Sequence, residues 1–160
     1  MKCIECGGTM KTRRENYRWD ASGLPVTLSG VQVSRCTKCG AHEVAIPRIE
    51  ELHRVIAMAV ISKRARLAAQ EIRYLRKFLD WSGADFARHV SVDVSTVSRW
   101  ENDQQVMGPV ADRLLRMIVA CREPEHSYPL DKLAEVRSVG AKPARIGVRE
   151  TAGAWRTEAA

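Results

Sequence analysis

Four of the chain's cysteines fall in two pairs, Cys3-Ile-Glu-Cys6-Gly7-Gly8 and Cys36-Thr-Lys-Cys39-Gly40. Two residues between paired cysteines let one tight turn aim both thiolates at a single ion, about 2.3 Å away when that ion is Zn²⁺, and the glycines that follow supply the backbone angles such turns need. A shell of four thiolates leaves no open coordination position. Cys3, Cys6, Cys36 and Cys39 therefore predict one structural Zn²⁺ rather than a catalytic one. The same pairs also suit a redox couple, and His42 beyond Cys39 is an alternative ligand. Cys121 stands alone in an apolar run and reads as a small buried hydrophobe. No Ser-His-Asp, Cys-His or paired-carboxylate arrangement stands out, so the expectation is a protein that is not an enzyme and has no small-molecule substrate.

A second constellation spans Ser82 to Asn102. Ser82 is a good N-cap with Asp85 three residues on, and Phe86, Ala87 and Val90 then face inward from a two-turn helix. Ser91-Val92-Asp93 makes a turn, with Asp93 the N-cap of a helix from Val94 to Glu101 whose buried side is Val97 and Trp100. Val94, Ser95, Ser98 and Arg99 are left pointing outward. A small apolar residue, hydroxyls and an arginine at the start of a helix suit the major groove, where they meet a thymine methyl, a base edge or phosphate, and guanine O6 and N7. The plainer reading of the same pattern is the surface of a helical hairpin.

The elements that must position these groups divide the chain. Lys11 to Trp19 is strand-like, a turn follows at Asp20 to Gly23, and a second strand runs from Leu24 to Leu28. Ser29-Gly30 reads as another turn, and Val31, Val33 and Arg35 lead with a period of two into the second cysteine pair. That is a small zinc ribbon over 1–46, too short to fold on apolar burial alone and dependent on its metal. Pro47 opens a linker helix within 47–66, with Ile49, Leu52, Val55, Ile56, Ala59 and Val60 at helical spacing. A basic break near 62–67 marks the boundary. An all-α helix-turn-helix domain occupies 67–122 and closes with a helix from Pro109 whose Leu114, Leu115, Ile118 and Val119 read equally as a dimer seam or as ordinary core. The C-terminal tail, 123–160, reads as largely disordered apart from a short helix at Leu130 to Val136. The fold class is α+β.

The formal charge of +7 over 160 residues favours a polyanionic partner. The N-terminus lacks the apolar stretch of a secretory signal, and no apolar run approaches the roughly 20 residues that span a bilayer. The expectation is a cytoplasmic chain with reduced cysteines and no membrane partner.

The run from Trp81 to Asp103, above all Ser95-Thr-Val-Ser-Arg-Trp-Glu-Asn102, resembles the phage-repressor (Xre/Cro-type) helix-turn-helix, a lambda-repressor-like fold. The resemblance implies an ion pair between Arg76 and Glu101 that fixes the helices, and adds Asn102 to the DNA-binding set of Val94, Ser95, Ser98 and Arg99. Gly83 departs from the glutamine common there, and Asp103 from the usual glycine. The full order, CxxCGG, a Leu28-Ser-Gly30-Val31 turn, CxxCG, a linker helix and this motif, is similar to the MqsA-type antitoxins with their YgiT-type zinc finger. That similarity covers residues 1–121. It implies Cys3, Cys6, Cys36 and Cys39 as zinc ligands, Ser95 and Arg99 as base-reading positions, a homodimer on a palindromic double-stranded operator, and a toxin protein as partner. A regulator of the same layout without a toxin, and a zinc-ribbon docking adaptor, are the alternatives.

Overall fold

A computed structural model describes residues 1–122, 136 and 141–158. The expected short helix at 130–136 lies outside these, residue 136 apart. Strands β1 (Met10–Trp19), β2 (Val26–Cys36) and β3 (His42–Ala45) precede helices α1 (Ile49–Ser62), α2 (Ala69–Phe78), α3 (Gly83–Val90), α4 (Val94–Glu101) and α5 (Pro109–Arg122); strands β4 (Ile146–Thr151) and β5 (Ala154–Thr157) close the chain. The architecture is α+β. Among the described residues no helix is long and apolar enough to cross a membrane.

β1 and β2 form a long antiparallel ladder from Met10↔Cys36 to Trp19↔Val26. Ser29-Gly30 is not the turn expected from sequence, because β2 runs straight through it as a bulge. Glu15 faces Val31 while Tyr17 faces Leu28, so two residues of β2 oppose Asn16 alone. Gly30 takes φ 66, which a residue with a side chain adopts only under strain, and its N–H donates to Asn16 Oδ1 at 3.1 Å. The extra residue shifts the alternation, so that Val26 and Leu28 before it and Val31 and Val33 after it are all buried.

The other edge of β2 is divided between two strands. β3 pairs antiparallel with Gln32 to Arg35, and β4 pairs parallel with Val26 to Ser29, with β5 antiparallel beyond it. This corrects the reading of 123–160 as largely disordered: 146–157 is a hairpin built into the sheet. Ile146, Val148 and Trp155 are buried in the core, and the Trp155 indole N–H donates to the Pro47 carbonyl at 2.7 Å.

Helix α1 packs against β4, β5, α2 and α5. Expected as a linker, it instead supplies the middle of the core, with Leu52, Ile56, Ala57, Val60 and Ile61 fully buried. One apolar cluster runs unbroken from Trp19 and Val26 through α1 to Leu75, Phe86, Trp100 and Leu115. A polar clamp secures the crossing at 63–67. Arg116, fully buried on α5, pairs with Asp112 at 2.7 Å and donates to the carbonyls of Ile61, Lys63 and Ala65. Asp112 also accepts the Leu67 N–H at 2.8 Å. Buried Glu71 takes Lys63, the Ala68 N–H and, from the C-terminal segment, the Ala144 N–H.

The apolar stripe of α5 divides. Leu115 and Val119 belong to the core and Ile118 packs against it, so these three are not a free seam. Leu114 is exposed in line with Val110 and Met117. Cys121 is exposed rather than buried, because it falls on that outer side.

Candidate metal centre and nucleic-acid interface

Both cysteine pairs sit in turns of the same construction. The Cys3 N–H donates to Gly8 O at 2.8 Å and the Gly7 N–H returns to Cys3 O at 2.9 Å; the Cys36 N–H donates to Ala41 O at 2.8 Å and the Gly40 N–H to Cys36 O at 3.2 Å. Pairing of β1 with β2 from Met10↔Cys36 sets one turn against the other. The four sulfurs converge within 4.8 Å of one another. Cys3 Sγ lies 3.7 Å from Cys39 Sγ and Cys6 Sγ 3.5 Å from Cys36 Sγ, close to the roughly 3.8 Å edge of a tetrahedron of thiolates around Zn²⁺. A Cβ on Gly8 would meet Cys36 Sγ at 3.1 Å and Cys6 Sγ at 3.2 Å, so the second glycine of CxxCGG keeps space clear beside the sulfurs.

The thiols share charge unevenly. Backbone N–H groups of Cys39 and Lys38 aimed at Cys36 lower its pKa to about 6. Cys39 moves the other way: the Ala41 N–H lowers it, but the sulfurs of Cys6 and Cys36 beside it push it up to about 12. Four sulfurs at these distances ionise together only with a cation among them, which is the chemistry of a metal centre. His42 is not part of the group; it faces Tyr17, whose hydroxyl is 3.3 Å from its Nε2.

The second constellation is built on α3 and α4, joined by Ser91 to Asp93. Ser82 and Asp85 bond reciprocally, with the Asp85 N–H donating to Ser82 Oγ at 3.1 Å and the Ser82 N–H to Asp85 Oδ2 at 3.0 Å. The Ser82 hydroxyl, donating to Asp85 Oδ2 at 2.6 Å, and then the Ser82 N–H hold the Asp85 carboxyl below the usual carboxylate range. Asp93 occupies the N-cap position of α4, yet its side chain makes no capping hydrogen bond, in contrast to the cap expected from its residue type. The helix start is held by backbone alone, with the Thr96 N–H reaching Asp93 O at 2.9 Å.

Val97 and Trp100 turn α4 into the core, and Phe86 packs across from Trp100. Val94, Ser95, Ser98 and Arg99 are all exposed on the opposite side. Arg99 makes one contact there, to Thr96 Oγ1 at 3.0 Å, and no ion pair among the described residues. Asn102 is also exposed, but its amide is engaged within the chain: Nδ2 donates to Ser98 O at 2.9 Å and Oδ1 accepts from Arg73 at 3.1 Å.

The scaffold under α4 is tied to α2. Arg76 forms a two-pronged pair with Glu101, Nε to Oε1 at 2.5 Å and a terminal nitrogen to Oε2 at 3.0 Å, and also donates to Trp81 O at 2.8 Å. The Glu101 carboxylate raises the Arg76 pKa further. Arg73, one turn earlier on the same side of α2, donates to Glu101 O at 2.6 Å and was not singled out from sequence. The three-residue spacing of Arg73 and Arg76 was the signal available. Asp103 follows at φ 58, so a non-glycine residue fills a left-handed position just past α4.

Comparisons with protein-family models, with curated proteins and with solved structures each return no match to this chain.

Proposed function

We propose that this protein is a zinc-stapled, sequence-specific DNA-binding repressor, and that it acts as the antitoxin of a type II toxin–antitoxin pair, neutralising a toxin and repressing its own operon. The observation that carries the reading is the exposed side of α4. Val94, Ser95, Ser98 and Arg99 stand clear of internal ion pairs on a short helix whose other side is locked by Val97, Trp100 and the Arg76–Glu101 pair. A rigid helix presenting a methyl-bearing side chain, hydroxyls and a forked cation has the chemistry of major-groove readout. The antitoxin half rests on the resemblance of the ordered motifs to the MqsA-type chains. One Zn²⁺ held by Cys3, Cys6, Cys36 and Cys39 closes the end of the sheet.

A two-fold dimer would place two copies of α4 about 34 Å apart, or a multiple of that, on a palindromic site. The outer line of α5, with Val110 at 76%, Leu114 at 37% and Met117 at 40% exposure, offers the self-complementary apolar face such a dimer uses.

Arg99→Ala tests the assignment of residues. Competition binding between the promoter fragment and random duplex should show a loss of about 1 to 3 kcal/mol on the preferred site and a blurred sequence choice. Equal weakening on both duplexes would make Arg99 a phosphate contact instead.

A further inference from the structure

A cleft of ≈ 630 Å³ opens where the turn after β1, helices α1 and α2 and the end of α5 meet. Neither the cysteine centre nor the exposed side of α4 uses it. Three cations line it, Arg54, Lys77 and Arg122, against the carboxylates Glu50 and Asp80. Arg122 is paired with Asp80 at 3.0 Å. Lys77 has no side-chain partner among the described residues.

His53 and Tyr74 also line this cleft. The Tyr74 hydroxyl donates its single proton to the His53 carbonyl at 3.0 Å. The contact of 3.1 Å between the same hydroxyl and His53 Nδ1 then needs its proton on Nδ1. Nε2 is left as a lone-pair acceptor. It makes no hydrogen bond among the described residues and is not among the buried unpaired atoms, so solvent reaches it. The ring cannot turn away easily, because Trp19 packs at 5.3 Å and Tyr74 stacks at 6.1 Å.

One cleft lined by a fixed acceptor, an uncommitted ammonium and a guanidinium is complementary to one kind of ligand. The ligand must be negative, to meet Lys77 and Arg122, and must still carry a proton to give to Nε2. We propose that this cleft is a binding site for a small oxyanion that retains an O–H donor, of which hydrogen phosphate is the simplest case. The anionic oxygens bind Lys77 and Arg122, and the O–H donates to His53 Nε2. Sulfate has the same size and charge as hydrogen phosphate but no proton at neutral pH. It leaves the Nε2 lone pair facing an oxygen, so the site discriminates between the two by about tenfold or more. The assignment stands apart from the DNA reading, since none of these residues is on α4.

Thermal melts of the metal-loaded chain in phosphate, sulfate and chloride at equal ionic strength test it. Phosphate at about 20 mM should raise Tm by roughly 2 to 4 °C over chloride, with sulfate giving less than half of that. Lys77→Met should abolish the phosphate increment, and His53→Phe should remove the preference over sulfate. Arg99→Ala should keep both, because an anion bound at the DNA-facing side of α4 would be lost with that residue. Equal stabilisation by phosphate and sulfate in the wild type, an increment undiminished in Lys77→Met, or one lost in Arg99→Ala would overturn the assignment.

Discussion

His53 shows how packing at one residue becomes a dependence on pH. Its ring is half-buried between Trp19 and Tyr74, and burial lowers its pKa below the ordinary 6.5. The unfolded chain takes up the proton near that ordinary value while the folded chain resists. Stability is therefore fully present above about 6.5 and falls as the pH drops toward the folded value. Thermal melts between pH 7.5 and about 5 should show this slope, and His53→Phe should flatten it. Other residue-scale features were legible only in part. Cysteine type and spacing marked the sulfur cluster, and the resemblance named Arg76 and Glu101, which meet at 2.5 Å. Residue type misled at Asp93, because a carboxylate at an N-cap position still has to rotate onto an N–H and here does not. It misled also at Cys121, where helical phase rather than polarity sets exposure.

At the scale of elements, the helices were readable because their apolar spacing is local. Ser82 before α3 and Pro109 at the start of α5 mark real helix ends. The β4–β5 hairpin was not readable. Its buried residues are Ile146, Val148 and Trp155, set among glycine and charged residues, and its pairing with Val26 to Ser29 is parallel and distant in sequence. Local pattern carries no trace of a strand that acquires its partner across five helices. Gly30 was misread for a related reason, since a bulge and a turn ask for the same residue type. The Arg116–Asp112 clamp makes α5 the element that fixes the passage from α1 to α2. Asp112→Ala leaves a fully buried guanidinium without its carboxylate and the Leu67 N–H without an acceptor. It should destabilise the chain by about 3 to 5 kcal/mol, read by urea denaturation. A loss below 1 kcal/mol would mean that the carbonyls of Ile61, Lys63 and Ala65 suffice for Arg116.

Across the whole molecule, the sheet and the helices share one apolar core, so the chain is not a ribbon hung on a separate reader by a linker. This changes what a metal ion at the four cysteines would do. Only the end of the sheet around Cys3, Met10 and Cys36 forms its own small cluster, away from the main core. The stretch from Tyr17 to Val33 belongs to the main core that α1 shares, and Trp19 packs on His53 of α1, so it should hold whatever happens at the cysteines. Stripping metal with a chelator, or Cys36→Ser, should therefore open amides in residues 1–12 and 34–45 to hydrogen exchange. Val26 to Leu28 and helices α2 to α5 should keep their protection. Exchange spreading through the whole of 1–46 would restore the autonomous ribbon expected from its length. A structure coupled in this way can hold α4 rigid, with Arg76 and Arg73 fastening its end to α2 and α2 fastened through α1 to the sheet.

Sequence-specific DNA binding through α4 is tested by titrating the zinc-loaded chain onto a duplex from its own promoter, from low to physiological salt, against a scrambled duplex of equal length. The promoter duplex should be preferred at every salt concentration, with affinity falling steeply and linearly on a logarithmic salt scale, by about 10³ or more between 50 and 200 mM for six or more phosphate contacts. No binding to the promoter duplex at low salt, or equal affinity for both duplexes, would contradict such binding.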